Sequence, residues 1–133
     1  MIVKTFNGFW DSKDTKKYQD YIFIFGDNDE GSGMGGQACI RYESNALGIP
    51  TKKKSSSAKN AYYNDEEFFL NVNNINKNIK KILNKCKTSR FKGIFLPKDG
   101  LGTGLAKLDE KAPLTYKYLK LAITALKKQV SLF

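Results

Sequence analysis

Tyr21-Ile22-Phe23-Ile24-Phe25 runs directly into Gly26-Asp27-Asn28-Asp29-Glu30-Gly31-Ser32-Gly33-Met34-Gly35-Gly36, an apolar segment joined to a glycine-rich, acidic one. The first five residues are aromatic or β-branched without a polar interruption. That pattern predicts a short strand buried on both faces, ended by Gly26. From Asp27 to Gly36 the chain carries four glycines and three acids. A buried strand that opens into such a loop points to an α/β sheet, in which ligands sit beyond the carboxyl ends of the strands.

The flanking sequence extends the same pattern. Ile2–Phe6 reads as an edge strand with Asn7-Gly8 as a turn, and the polar Asp11–Asp20 as a loop or short helix. Gln37–Ser44 predicts a short helix closed between Asn45 and Gly48. Gly48-Ile49-Pro50-Thr51 predicts another extended segment, because a residue before proline avoids the helical region. Lys52–Lys59 is a lysine- and serine-rich surface loop. The clearest helix spans Glu66 to Cys86, where Phe68, Val72, Ile75, Ile79, Ile82 and Cys86 form one apolar stripe. Asp65 is expected at its N-cap, with Glu66 and Glu67 at the positive end of its dipole. Gly93–Leu96 is a buried strand stopped by Pro97, and Lys98–Leu108 is a second glycine loop. Pro113 opens a last helix whose Leu114, Tyr118, Leu121 and Ala125 are expected to face the core. The order of elements predicts a single α/β domain over residues 1–133 with a largely parallel or mixed sheet.

Composition narrows the chemistry. The chain has no histidine, which removes Ser-His and Cys-His pairs, histidine bases and most zinc sites. Its two cysteines, Cys39 and Cys86, have no metal spacing, and a buried free thiol at Cys86 favours a reducing, cytoplasmic setting. No segment reads as a signal peptide or membrane span, so no membrane partner is expected. The net charge of +10 is nearly all lysine, with Arg41 and Arg90 the only arginines. Lysine and asparagine dominate together, as in AT-rich coding sequence, and attraction to polyanions is the alternative explanation.

The two glycine loops come after two buried strands, and that shared position carries more than either loop alone. Gly31-Ser32-Gly33-Met34-Gly35-Gly36 has the dinucleotide spacing Gly-x-Gly-x-x-Gly, but Lys52, not an acid, stands about twenty residues on, and no Gly-Lys-Ser/Thr comes next to make a P-loop. Glycines let successive N–H groups converge on an anion, and the next helix offers its positive end. Tight turns alone are the plainer alternative for each cluster taken singly.

Phe25-Gly26-Asp27-Asn28, Gly33-Met34-Gly35-Gly36-Gln37-Ala38, Ile49-Pro50-Thr51-Lys52 and Pro97 to Leu105 resemble the macrodomain superfamily. The likeness is nearest to the branch of the terminal ADP-ribose protein glycohydrolase and the DNA ADP-ribosyl antitoxin. It implies a compact three-layer fold, a mixed central sheet flanked by helices, and no resident cofactor or metal. It also implies an ADP-ribose-type nucleotide as ligand, free or attached to protein or nucleic acid. Asp27, Asn28, Gly33, Met34, Gly35 and Gly36 would then hold the distal ribose, with Gln37, Thr51 and Lys52 also contacting the ligand. Gly100, Leu101, Gly102, Thr103 and Gly104 would wrap the diphosphate, with Leu105 also in the binding set. Lys52 and Asp27 are the catalytic candidates by this resemblance. The glycohydrolase places an aspartate after the second loop, whereas Ala106 stands here, so hydrolysis by that mechanism is not implied directly. Asp99 and Asp109 are possible substitute carboxylates.

A lysine amine becomes a nucleophile when its pKa is lowered, and Lys52-Lys53-Lys54 are expected to repel one another. Two functional classes are consistent with these residues. One is a binding module that sequesters a signalling nucleotide, as a viral or mobile-element protein would. The other is a hydrolase that removes ADP-ribose through Lys52. A plain nucleic-acid-binding domain fits less well, since Tyr21, Phe23 and Phe25 lie in an apolar strand.

Overall fold

The computed structural model describes residues 1–88 and 90–133. Four strands, β1 (Ile2–Phe6), β2 (Tyr21–Asn28), β3 (Ala46–Lys52) and β4 (Gly93–Pro97), form one sheet in the order β1-β4-β2-β3. Every pairing is parallel, so the mixed sheet implied by the resemblance is not what forms. The reason lies in the connections: each strand leads into a helix or a 3-10 turn before the next one pairs, and none is joined by a hairpin. β1 is the edge strand read from its weak alternation.

Alternation along the two central strands divides the core. Ile22, Ile24, Ile94 and Leu96 point into an aliphatic layer with Ile75, Ile82 and Cys86 of α2 (Phe68–Thr88). Leu119, Leu126 and Val130 of α4 (Pro113–Ser131) complete that layer. Tyr21, Phe23 and Phe95 point the other way, into an aromatic layer with Phe6, Trp10 and Tyr18. Among the described elements, α1 (Ser12–Lys17) and a 3-10 helix at Gly36–Ile40 lie on that second face. Large rings fill the thin layer that two short elements leave, and they meet edge-on or tilted, as Trp10 and Phe23 do at 5.4 Å.

Several local expectations shift. β2 does not stop at Gly26; it runs on to Asn28, because Gly26, Asp27 and Asn28 keep pairing with β3 through a register irregularity between Asp27 and Asn28. The predicted helix at Gln37–Ser44 is the 3-10 helix Gly36–Ile40, and β3 begins at Ala46, ahead of Gly48. Asp65 does not cap α2. Asn64 caps the 3-10 turn Asp65–Glu67 that leads into α2, accepting from the Glu67 backbone N–H, while Asp65 accepts from the N–H groups of Leu114 and Thr115 and from the Thr115 hydroxyl. Asp65 thus caps α4 across space. This contact turns α4 so that Thr115, Leu119, Leu126 and Val130 face inward. Leu114 (59% exposed) and Leu121 (65%) face solvent with Ala125, and Tyr118 is half-buried, against the expected stripe. Among the described residues no helix is long and apolar enough to cross a membrane.

Candidate functional site

β2 pairs with β4 only from Tyr21 to Phe23, then continues as Ile24–Asn28 along β3 alone. The chain leaves these two strands toward opposite faces: β2 leads to the 3-10 helix on the aromatic side, β4 to α4 on the aliphatic side. A crevice opens at such a divergence between adjacent parallel strands. Here it is a cleft of about 650 Å³, within the range of small-molecule sites. Its lining comes from the carboxyl end of all four strands: Gly8–Trp10 after β1, Pro97–Gly100 after β4, Gly26–Asn28 of β2, and Thr51, Lys52 and Ser55 at and beyond β3.

The two glycine loops form its walls. Of the residues predicted from sequence, Asp27, Asn28, Gly33, Gly35, Gly36, Gln37, Thr51, Lys52, Gly100, Gly102, Thr103, Gly104 and Leu105 all line the cleft. Met34 and Leu101 do not: Met34 is 48% exposed, and Leu101 is buried in the aliphatic core. Among the described residues, the backbone N–H groups of Gly33–Gly36 and of Leu101–Gly104 donate to no protein acceptor. Gly33 at φ +91° and Gly102 at φ +93° adopt backbone that a side chain would strain.

Side chains set the loops. Gln37 accepts from Gly26 N–H (2.8 Å) through Oε1 and donates to the Gly100 carbonyl (3.0 Å) through Nε2, so one amide ties both loops. Asn28 donates to the Ser32 carbonyl and accepts weakly from its N–H, pinning the first loop internally. Asp27 accepts from Asn28 N–H and pairs with Arg41 at 2.6 Å. Arg41 also donates to the carbonyls of Gly33 (2.8 Å) and Ser32 (3.1 Å) and lies over the Phe25 ring. Thr51 donates to the Asp27 carbonyl. A Cβ at Gly35 or Gly36 would stand 3.5 Å from Leu105 Cδ1, so Leu105 lies against the first loop from the second.

Lys52 lines the cleft, but its amine is already engaged. Nζ donates to the Ser56 carbonyl (2.9 Å) and lies 4.5 Å from the Tyr62 ring, with Lys111 on the same ring. Lys53 pairs with Glu67, and that hydrogen bond, with one from Asn64, holds the Glu67 carboxyl below its ordinary range. The expected repulsion within Lys52–Lys54 is therefore relieved at its middle member. Ala106 lines the cleft as a buried methyl group, Asp99 lines it as an exposed carboxylate, and Asp109 is exposed on α3 (Leu108–Lys111), outside the lining. Tyr63, behind the first loop, donates to Asp29. Burial, more than this bond, raises the tyrosine pKa, and burial likewise raises that of Asp29 despite the bond. Among the described residues no three thiols or carboxylates group closely enough to hold a metal ion.

The chain belongs to DUF7831, a family of unknown function. The match covers residues 5–122, which takes in both loops and the whole cleft lining of this DUF7831 protein. No curated protein and no solved structure is significantly similar to it. Phe9, Trp10, Arg41, Ser55 and Lys98 also line the site and were not expected from sequence. Arg41 carried a usable signal: it is one of two arginines in a chain with 23 Lys and Arg, and the planar fork is what lysine cannot supply.

Proposed function

We propose that the cleft binds a nucleotide diphosphate of the ADP-ribose type, with the diphosphate against the two glycine loops. The observation that carries this reading is the set of unengaged backbone N–H groups, Gly33–Gly36 and Leu101–Gly104, on loops that face one cleft. Successive amides of this kind form anion-binding concavities. Lys52 adds a cation, and Asp27, the acid of the first loop that lines the cleft, is neutralised by Arg41. The macrodomain likeness of the motifs supports the same ligand class, and a parallel α/β sheet is compatible with it. The two free thiols suit a cytoplasmic protein.

A role in sequestering the nucleotide is favoured over hydrolysis by Ala106, a lining residue that stands where the resembling glycohydrolase has its aspartate. Lys52 in the lining keeps the hydrolase reading open to test. ADP-ribose at 100 times its dissociation constant adds about 2.7 kcal/mol, which for a chain of 133 residues raises the Tm by about 10 °C. AMP and ribose 5-phosphate give smaller shifts. No shift with any adenine nucleotide at millimolar concentration overturns the proposal. Borohydride trapping of an adduct lost in Lys52→Ala, with turnover of ADP-ribosylated protein or DNA, would establish the hydrolase instead.

A further inference from the structure

Phe9 is fully exposed, at 101%, more than any other large apolar side chain described. Single exposed hydrophobics are ordinary, but this one is held out by a fixed frame. Gly8 before it turns at φ +89°. Trp10 after it is buried, donates from its indole N–H to the Gln37 carbonyl at 2.9 Å, and packs against Phe6 and Phe23. The Trp10 carbonyl accepts from Cys39. Phe9 therefore projects from an anchored turn, not a frayed one, and it borders the cleft at the β1 edge.

The sheet order gives the cleft a direction. β1 and β3 are the two edges, three strand spacings or about 14 Å apart. Phe9 stands at one end, Lys52 and Ser55 at the other, and the glycine loops lie between. A diphosphate seated on the loops carries one substituent toward each edge. At the Phe9 end, the side-chain polar groups that could read a base are few. The indole N–H is spent on Gln37, Pro97 has no N–H, and the Lys98 and Asp99 side chains are exposed to solvent. Among the described residues no buried side-chain polar atom lacks a partner.

We propose that Phe9 is the stacking platform for the base of the bound nucleotide, and that the site takes a flat heterocycle without reading which one it is. The proposal rests on the nucleotide-diphosphate reading of the cleft. Every base offers a π-face, so stacking tolerates sequence, whereas strong discrimination needs buried hydrogen-bonding groups that the wrong base leaves unpaired.

The test is calorimetric titration of ADP, GDP, UDP and inorganic pyrophosphate into the wild-type protein, Phe9→Ala and Phe9→Trp. The three nucleotides are expected to bind wild type within about tenfold of one another. Phe9→Ala should weaken each by about 5- to 150-fold and leave pyrophosphate unchanged, and Phe9→Trp should restore binding. Because Phe9 is solvent-exposed, both variants keep the fold, which thermal melting verifies. A Phe9→Ala variant that binds the nucleotides as wild type does, or a preference above 100-fold for one base, overturns the inference. Pyrophosphate binding with no gain from any base overturns it while leaving the phosphate site standing. If neither pyrophosphate nor any nucleotide binds, the nucleotide reading itself fails.

Discussion

Removing Arg41 tests whether the first glycine loop is built around a buried ion pair. Its side chain is 8% exposed and that of Asp27 15%, and they meet at 2.6 Å. The same guanidinium donates to two loop carbonyls and covers Phe25. Arg41→Ala leaves Asp27 with its charge in a largely dry place and frees the Ser32 and Gly33 carbonyls. Breaking a buried pair from one side costs about 3–5 kcal/mol. For 133 residues the unfolding entropy near Tm is about 0.28 kcal/mol/K, so the expected fall in Tm is about 11–18 °C.

Urea denaturation gives the free energies, and a cycle with Asp27→Ala isolates the pair. Much of the single-variant loss comes from the stranded carboxylate, so Arg41→Ala/Asp27→Ala should lose less than the two single losses summed, by about 1.5 kcal/mol or more. Arg41→Lys keeps the charge but loses the fork, and it should fall between wild type and Arg41→Ala. A loss below about 1 kcal/mol for Arg41→Ala, or additive losses in the cycle, would place this pair with weak surface ion pairs and refute the reasoning.

Gly102→Val combines a φ of +93° with a Cβ only 3.0 Å from Leu108, so it should lower Tm itself. Gly35→Val, at φ −79° with 3.5 Å to Leu105, should melt near wild type while losing nucleotide binding; melts and titrations of both variants check this, and a Gly35→Val protein that binds normally contradicts it. Burial holds the Asp29 carboxyl above its ordinary pKa, so between the ordinary and raised values the native state binds more protons and stability falls as pH rises. Asp29→Asn still accepts from Tyr63, and its stability advantage over wild type should grow from about pH 4 toward neutrality. The opposite trend, from Glu67, is present in both proteins and cancels in the difference. An advantage that is flat or shrinks with pH in urea melts counts against the assignment.

The strands and loops were legible because their signals are local. Tyr21–Phe25 has no polar residue, so neither layer it faces needs to be known to read it as a strand. The phase of α4 was not legible, because both candidate stripes are apolar: Leu114, Tyr118 and Leu121 on one, Leu119, Leu126 and Val130 on the other. The choice is made by Asp65, 49 residues away from Leu114, whose carboxylate takes the first N–H groups of α4 and draws Thr115 inward. A buried threonine in the winning stripe hides it from any hydrophobic pattern. Asp65 sits beside one helix start in sequence and serves another in space.

The cleft depends on similarly distant contacts. Its two loops leave the sheet toward opposite faces, and the main-chain pairing that would have joined them ends at Phe23 and Phe95. What holds the gap at fixed width is side-chain work: Gln37 bonded to Gly26 and Gly100, Leu105 against Gly35 and Gly36, and Arg41 on Asp27, Ser32 and Gly33. At the β3 edge, both Lys52 and Lys111 lie over the Tyr62 ring, which couples the lysine loop to α3. Each of these contacts is complete within the protein alone. Polar groups that are already paired hold their loops without a ligand, while the amides of Gly33–Gly36 and Leu101–Gly104 are left over. A site with its framework satisfied and its N–H groups uncommitted has little ordering left to do when an anion arrives. Under the proposed nucleotide reading, that would lower the entropic cost that otherwise consumes binding energy.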